Sequence, residues 1–268
     1  MQMVAAAKMR RAQQAALAGR PYATLMNQVL GEVTARATDF THPLLEVREE
    51  RKRAVILVTT DKGLCGSLNS NLLREAAKLD KNTTVYITAG RKGSQFVART
   101  RRQLGAEFTY KDTPLFDEGR AISKFAQELF LKGDVDRVDI MFTAFVSTLV
   151  QKPETVPFLP VGRIAGVTSE VGQHAPQPLS SGATEYLFEP SAHHVLGALL
   201  PQYLNFKVYQ ILLEAKASEQ SSRMVAMKNA TDNAKQIIKD LTLEYNKLRQ
   251  ANITKELLEI TSAAMALG

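Results

Sequence analysis

Residues 58 to 67 read VTTDKGLCGS, and they bring hydroxyls, a carboxylate, a lysine, a cysteine and two glycines into one short stretch. The segment lies between a strand-like RAVILV and a helix-like LNSNLLREAAKL, an order in which many proteins hold a phosphate. A P-loop needs Gly-x4-Gly-Lys-Ser/Thr, because the lysine must reach the β and γ phosphates. Here Gly63 and Gly66 are three apart, and Ser67 follows Gly66 with no lysine between. The dinucleotide pattern Gly-x-Gly-x-x-Gly is also absent. Lys62 precedes the glycines, where it can touch a partner without completing a cradle. Ser67 or Asn69 is expected to cap the next helix instead. No nucleotide site and no cofactor are expected at this loop.

Other chemistry is equally poorly supplied. Lys62 is the only basic group near Cys65, so a structural thiol is the default. His193 and His194 are adjacent, and adjacent side chains diverge on a helix, so a shared metal is not expected. Asp61 stands at a strand end, but no histidine or second acid recurs with it. With no catalytic constellation, the chain is not expected to be an enzyme in itself.

The surrounding elements fall into three zones. Residues 1 to about 40 are rich in Ala, Met, Gln, Leu and Arg, all strong helix formers, with an interruption at Gly19-Arg20-Pro21. THPLLE at 41–46 ends this run, because the residue before Pro43 is pushed out of helical geometry. Next, AVILVTT, TTVYITAG and VDIMFTAF are strand-like, and SLNSNLLREAAKL, RKGSQFVARTRRQL and AISKFAQELFLKG are of helix length. Alternation of that kind predicts a parallel sheet with crossover helices. LVQKPETVPFLPVG then suits an edge strand, SEVGQHAPQPLSSGA a loop, and TEYLFEP a last short strand.

From 202 to 267 there are 66 positions with neither glycine nor proline. As one helix they make a rod of roughly 100 Å, whereas a compact chain of this size has a radius of gyration of about 18 Å. The rod is expected to protrude. Its apolar seam is Met227, Ala230, Ala234, Ile237, Leu241, Tyr245 and Leu248, near-heptad spacing with one stutter, continued less cleanly by Ile253, Leu257 and Ile260. The small residues of MVAAAKMRRAQQAAL suit close approach, so the two ends are expected to pair as an antiparallel coiled coil. An ordinary helical domain with these helices folded back is the plainer alternative. The expected class is α/β: N- and C-terminal shaft helices (1–45 and 191–268) around a Rossmann-like domain (46–190).

Composition narrows the setting. The chain has 268 residues, is 45% hydrophobic and carries a net charge of +7, unevenly placed. Lys8, Arg10, Arg11 and Arg20 precede the first acid, Glu32. A mitochondrial transit peptide shares that look, but the pattern runs on without a break, as a helix facing acidic partners or anionic surfaces would. One cysteine rules out an internal disulfide and suits a reducing compartment. No apolar run is long enough to cross a bilayer, and no nucleic-acid fold signature is present.

MQMVAAAKMRRAQ, TTDKGLCGSLN, ASEQSSRMVAMKNATDNA and YNKLRQANITKELLEI resemble the gamma subunit of F-type ATP synthase along the whole chain. The resemblance implies a rotor shaft whose terminal helices form an antiparallel coiled coil inside a ring of three alpha and three beta subunits. It implies a Rossmann-like base that sits on the membrane c-ring and carries the epsilon subunit. Catalysis would belong to the ring, and the chain would be peripheral to the cytoplasmic face of a bacterial inner membrane. Carried over by residue, Met1 and Arg223 would face an acidic loop of beta. Arg249, Gln250, Thr254 and Glu256 would touch beta along the shaft, and Tyr186, Phe188 and Glu189 would form a foot over the c-ring. The family usually has about twenty residues upstream of this Met1, so a truncated start is expected. Ser67 replaces a usual glycine, and the cysteine pair of thiol-regulated chloroplast forms is absent. Rival readings are a nucleotide-dependent enzyme and a free-standing coiled-coil adaptor or nucleic-acid-binding protein.

Overall fold

The computed structural model describes residues 2–19, 21–26, 29–30, 42–161, 189 and 191–267. They form two units by contact, Met1–Val225 and Ala226–Gly268. In the first unit, helix α1 (Gln2–Ala18) is followed by helical turns at 21–26 and 29–30 and a 3-10 turn at Pro43–Leu45. Strands β1 (Arg53–Val58), β2 (Thr84–Ala89), β3 (Gln103–Phe108), β4 (Arg137–Phe145) and β5 (Gln151–Leu159) build one sheet in the order β3-β2-β1-β4-β5. The first four strands are parallel, and β5 is an antiparallel edge on β4. Helices α2 (Leu68–Ala77), α3 (Arg91–Arg99) and α4 (Phe116–Leu131) make the crossovers. The last helix, α5 (Ala192–Leu267), has 76 residues and includes Pro201.

The strand period of two sorts the core into two layers. Val55 and Leu57 of β1 face Leu72 and Ala76 of α2 and Val97 of α3. Ala54, Ile56 and Val58 point the other way, into a larger core with Ile122, Ala126 and Phe130 of α4 and Leu204, Val208 and Leu212 of α5. Burial on both faces is why β1 and β4 read as near-continuous apolar runs. The edge strand β5 carries Pro153 and Pro157, whose missing N–H groups a central strand could not tolerate.

The structure corrects two local expectations. RKGSQFVARTRRQL is not one helix, because α3 stops at Arg99 and its last residues open β3. That strand is an exposed edge containing Gly105, so it lacks the β-branched burial that marks its neighbours. Ser67 stands at the N-cap of α2 but its side chain makes no capping hydrogen bond, and Asn69 lies inside the helix. Asn69 instead donates to Thr60 Oγ1 at 2.7 Å and to Cys65 Sγ at 3.2 Å, tying the glycine loop to the helix. The TEYLFEP strand and the loop before it lie, but for Glu189, outside the described residues.

Gly90 joins β2 to α3 with φ of 106°, and a Cβ there would stand 2.2 Å from the Thr59 carbonyl oxygen. Both the left-handed backbone and the lack of space demand glycine. Gly90→Ala should therefore cost at least about 2 kcal/mol and lower Tm by roughly 5 °C. An unchanged thermal transition would contradict this reading of the β2–α3 joint.

Candidate partner interfaces

The glycine loop presents the wrong polarity for phosphate. Leu64 and Gly66 adopt left-handed backbone, with φ of 63° and 59°. The loop's carbonyls are turned toward α5: Ser222 Oγ donates to Cys65 O at 2.7 Å, and Arg223 Nη2 approaches Gly63 O at 3.3 Å and Lys62 O at 3.4 Å. A phosphate cradle needs converging N–H donors, and these groups are acceptors. Asp61 accepts from the Arg91 backbone N–H at 3.0 Å, so its carboxylate serves the start of α3. Cys65 is buried beneath Asn69.

Strand order places the topological switch between β1 and β4, and doubly wound sheets take their ligands outside the carboxyl ends of such strands. In this chain α5 crosses that edge. Glu214 Oε1 accepts from the Phe145 N–H at 3.2 Å, and Ser221 Oγ donates to Thr148 O at 2.8 Å. Between Ala215 and the residues Thr59, Thr60, Tyr110 and Thr143, a cavity of about 10 Å³ remains. That holds a water at most, whereas small-molecule sites run from about 300 Å³ upward. The helix has taken the place of a ligand.

Helix α1 pairs with α5 in antiparallel fashion. Tyr22, in the helical turn after α1, packs its ring at a tilt against Phe206 at 4.6 Å, Gln210 Nε2 donates to Ala16 O at 3.2 Å, and Ala12 clusters with Ala217 and Phe145. Partner numbers rise on α5 as they fall on α1. The buried residues of α1 are Ala5, Ala12 and Ala16, small enough for the backbones to come close. Covered by α1 on one side and by the sheet and α4 on others, α5 is buried at every position from 210 to 221. Gly119 of α4 allows part of this, since a Cβ there would lie 2.9 Å from Tyr209 Cα.

The second unit is different in character. Ile237, Leu241, Tyr245 and Leu248 are each about 60% exposed, and Ile253, Leu257 and Ile260 continue the pattern. Ile238, Leu243 and Leu258 are exposed as well, so apolar surface is not confined to one stripe. An apolar helix surface of this kind marks an interaction site.

The expected contact residues separate accordingly. Arg223 lies in the first unit, mostly buried and 2.7 Å from Glu219 Oε1. Arg249, Gln250, Thr254 and Glu256 are exposed on the second unit, on one side of the helix at 100° per residue. Thr254 Oγ1 donates back to Gln250 O at 2.9 Å. Glu189 is exposed at a bend, while Met1, Tyr186 and Phe188 lie outside the described residues. Sequence reasoning missed the buried polar stretch of α5, including Glu214, Lys216 and Glu219. The available signal was three charges set among Ala and Ser in a segment without helix breakers.

The fold and these surfaces define a partner-binding subunit: a doubly wound sheet whose ligand edge is closed by a helix that continues as an apolar, exposed element. A family model described as ATP synthase matches residues 1–267. The ATP synthase gamma chain of Opitutus terrae is 47% identical over 277 residues, covering 99% of this chain and 91% of the relative. That of Methylacidiphilum infernorum is 42% identical over 273 residues, covering 100% and 92%. A chain of the central stalk/c-ring assembly of Tetrahymena thermophila mitochondrial ATP synthase superposes with a TM-score of 0.63 at 23% identity, covering 86% of this chain and 97% of that one. A chain from the Euglena gracilis enzyme, in an OSCP/F1/c-ring structure, gives 0.59 at 16% identity, with 99% and 94% covered. The chain belongs to the ATP synthase gamma-chain family.

Because α5 fills the switch crevice, the isolated chain should show no heat of binding for ATP or ADP in a calorimetric titration. A micromolar site on this chain alone would contradict the closed crevice.

Proposed function

We propose that this chain is the central-stalk rotor of an F-type ATP synthase. It couples ion-driven turning of the membrane c-ring to ATP synthesis or hydrolysis at a ring of three alpha and three beta subunits. It works without a catalytic site or cofactor of its own, and the epsilon subunit is a further partner. The observation that carries this reading is the pairing of a closed ligand edge with an apolar helix exposed on more than one side. The first argues against use of the sheet as a nucleotide domain, and the second suits a partner that covers the helix. Full-length kinship to gamma chains supplies the identity of that partner.

Coupling requires contacts that differ between rotor states, because a ligand binding both states equally shifts nothing. Met1 and Arg223 are assigned to an acidic loop of beta, and Arg249, Gln250, Thr254 and Glu256 to beta farther along the helix. Tyr186, Phe188 and Glu189 are assigned to the foot on the c-ring. Among the described residues no helix is long and apolar enough to cross a membrane. A position peripheral to the cytoplasmic face of a bacterial inner membrane, held there by the c-ring, fits that observation. Co-purification tests the assignment: a tagged chain should bring alpha and beta subunits with it. Recovery without them, with steep salt-dependent binding to duplex nucleic acid, would favour the adaptor reading instead.

Arg249 offers a planar fork for a carboxylate, and Gln250 both donor and acceptor groups. Alanine is a better helix former than either. Arg249→Ala with Gln250→Ala should leave helicity and assembly intact and slow hydrolysis by the assembled complex. A charge-assisted contact is worth about 1.5–3 kcal/mol, so a loss of about tenfold is expected where it forms only in some rotor states. Normal turnover in an assembled complex would reduce these residues to solvated surface.

A further inference from the structure

Five charges of alternating sign run through the first unit. Lys8 Nζ lies 2.5 Å from Asp112 Oδ2, and Asp112 Oδ1 lies 3.4 Å from Lys216 Nζ. Lys216 Nζ is 2.9 Å from Glu219 Oε2, and Glu219 Oε1 is 2.7 Å from Arg223 Nη2. The string therefore joins α1, the segment after β3, and three successive turns of α5. Arg223 extends it to the glycine-loop carbonyls. Its outer members, Lys8 and Asp112, are 42% and 54% exposed, whereas Lys216 and Glu219 are 3% and 4% exposed. The Lys8 hydrogen bond, and next to it the Lys216 charge, hold the Asp112 carboxyl below its ordinary range against an opposing effect of burial. The Lys216 ammonium also stands 5.1 Å from the Tyr110 ring centre. Glu219 Oε2 has no directed hydrogen bond, so its contact with Lys216 is ionic.

Stability does not explain such a pair, because well-packed apolar residues commonly replace buried ion pairs without loss. Orientation does. Around it, α5 seats small residues (Ala215, Ala217 and Ser218) and makes single hydrogen bonds through Gln210, Glu214, Ser221 and Ser222, to which the buried charges add the costliest penalty for misalignment. If α5 turned or slid against the sheet, Lys216 or Glu219 would be left buried without its counter-charge, the costly state for an ion pair. We propose that Lys216 and Glu219, with Asp112, are positioning residues that lock α5 in a single rotational register against the sheet and α1. The lock transmits torque between helix and sheet. It rests on the rotor reading above.

The test uses the whole complex in vesicles, measuring ATP hydrolysis and ATP-driven ion uptake together. Lys216→Met with Glu219→Leu removes the lock while filling the space. It should leave hydrolysis nearly unchanged and lower uptake per ATP by about threefold. Asp112→Asn should give a smaller fall in the same ratio, and Asp112→Glu, which keeps the charge, should retain it. A purely packing role would leave the ratio unmoved. An assembled Lys216→Met, Glu219→Leu complex with the wild-type ratio overturns the proposal. Should that variant fail to assemble, a wild-type ratio in Asp112→Asn overturns it equally. A wild-type chain that never joins the complex would contradict the rotor reading instead.

Discussion

The burial of one polar-studded stretch of helix, residues 210–221 of α5, is the constraint on which the rest of the structure depends. A helix crossing the carboxyl edge of a parallel sheet must satisfy that edge, and this one does so with Glu214, Ser221 and Ser222. In doing so it occupies the crevice where a doubly wound fold would hold a ligand. The same stretch supplies Ala217 and Gln210 to α1, and Tyr209 just before it makes the close approach to Gly119. Sheet, crossover helix and N-terminal helix thus meet on a single element.

Such a seat gives the fold a different use from its nucleotide-binding look-alikes. The glycine loop keeps the strand–loop–helix order of a phosphate site, but its carbonyls point at Arg223 and Ser222 and serve as latches. Its threonines point inward, Thr59 to the Gly90 and Gly93 backbone and Thr60 to Lys62 and Asn69. What looked like a place for chemistry is a place for mechanical attachment. This accords with the rotor role proposed above.

The sequence made the larger elements legible and hid the smaller ones, for physical reasons. Strands β1, β2 and β4 are buried on both faces, so their apolar runs are unbroken, and the prolines of β5 marked it as an edge. The exposed edge β3, with Gly105 and few branched residues, carried no comparable signal. The lack of helix breakers marked α5, and the small residues of the first segment suited a close partner for it. The contact pairs join residues 12–22 to residues 206–217, whereas the near-heptad seam from Ile237 onward is exposed. Arg249, Gln250, Thr254 and Glu256 came from resemblance alone, because an exposed polar helix face has no pattern of its own. Lys216 and Glu219 showed only as charges set among Ala and Ser, and their burial was not legible because it depends on other elements folding around them.

The most direct test of the rotor assignment is observation of rotation. With the alpha/beta ring fixed to a surface and a probe attached to this chain, ATP should drive the probe around in one direction, through repeated full turns. Steady ATP hydrolysis by the fixed ring, with the chain bound and the probe stationary, would contradict the account.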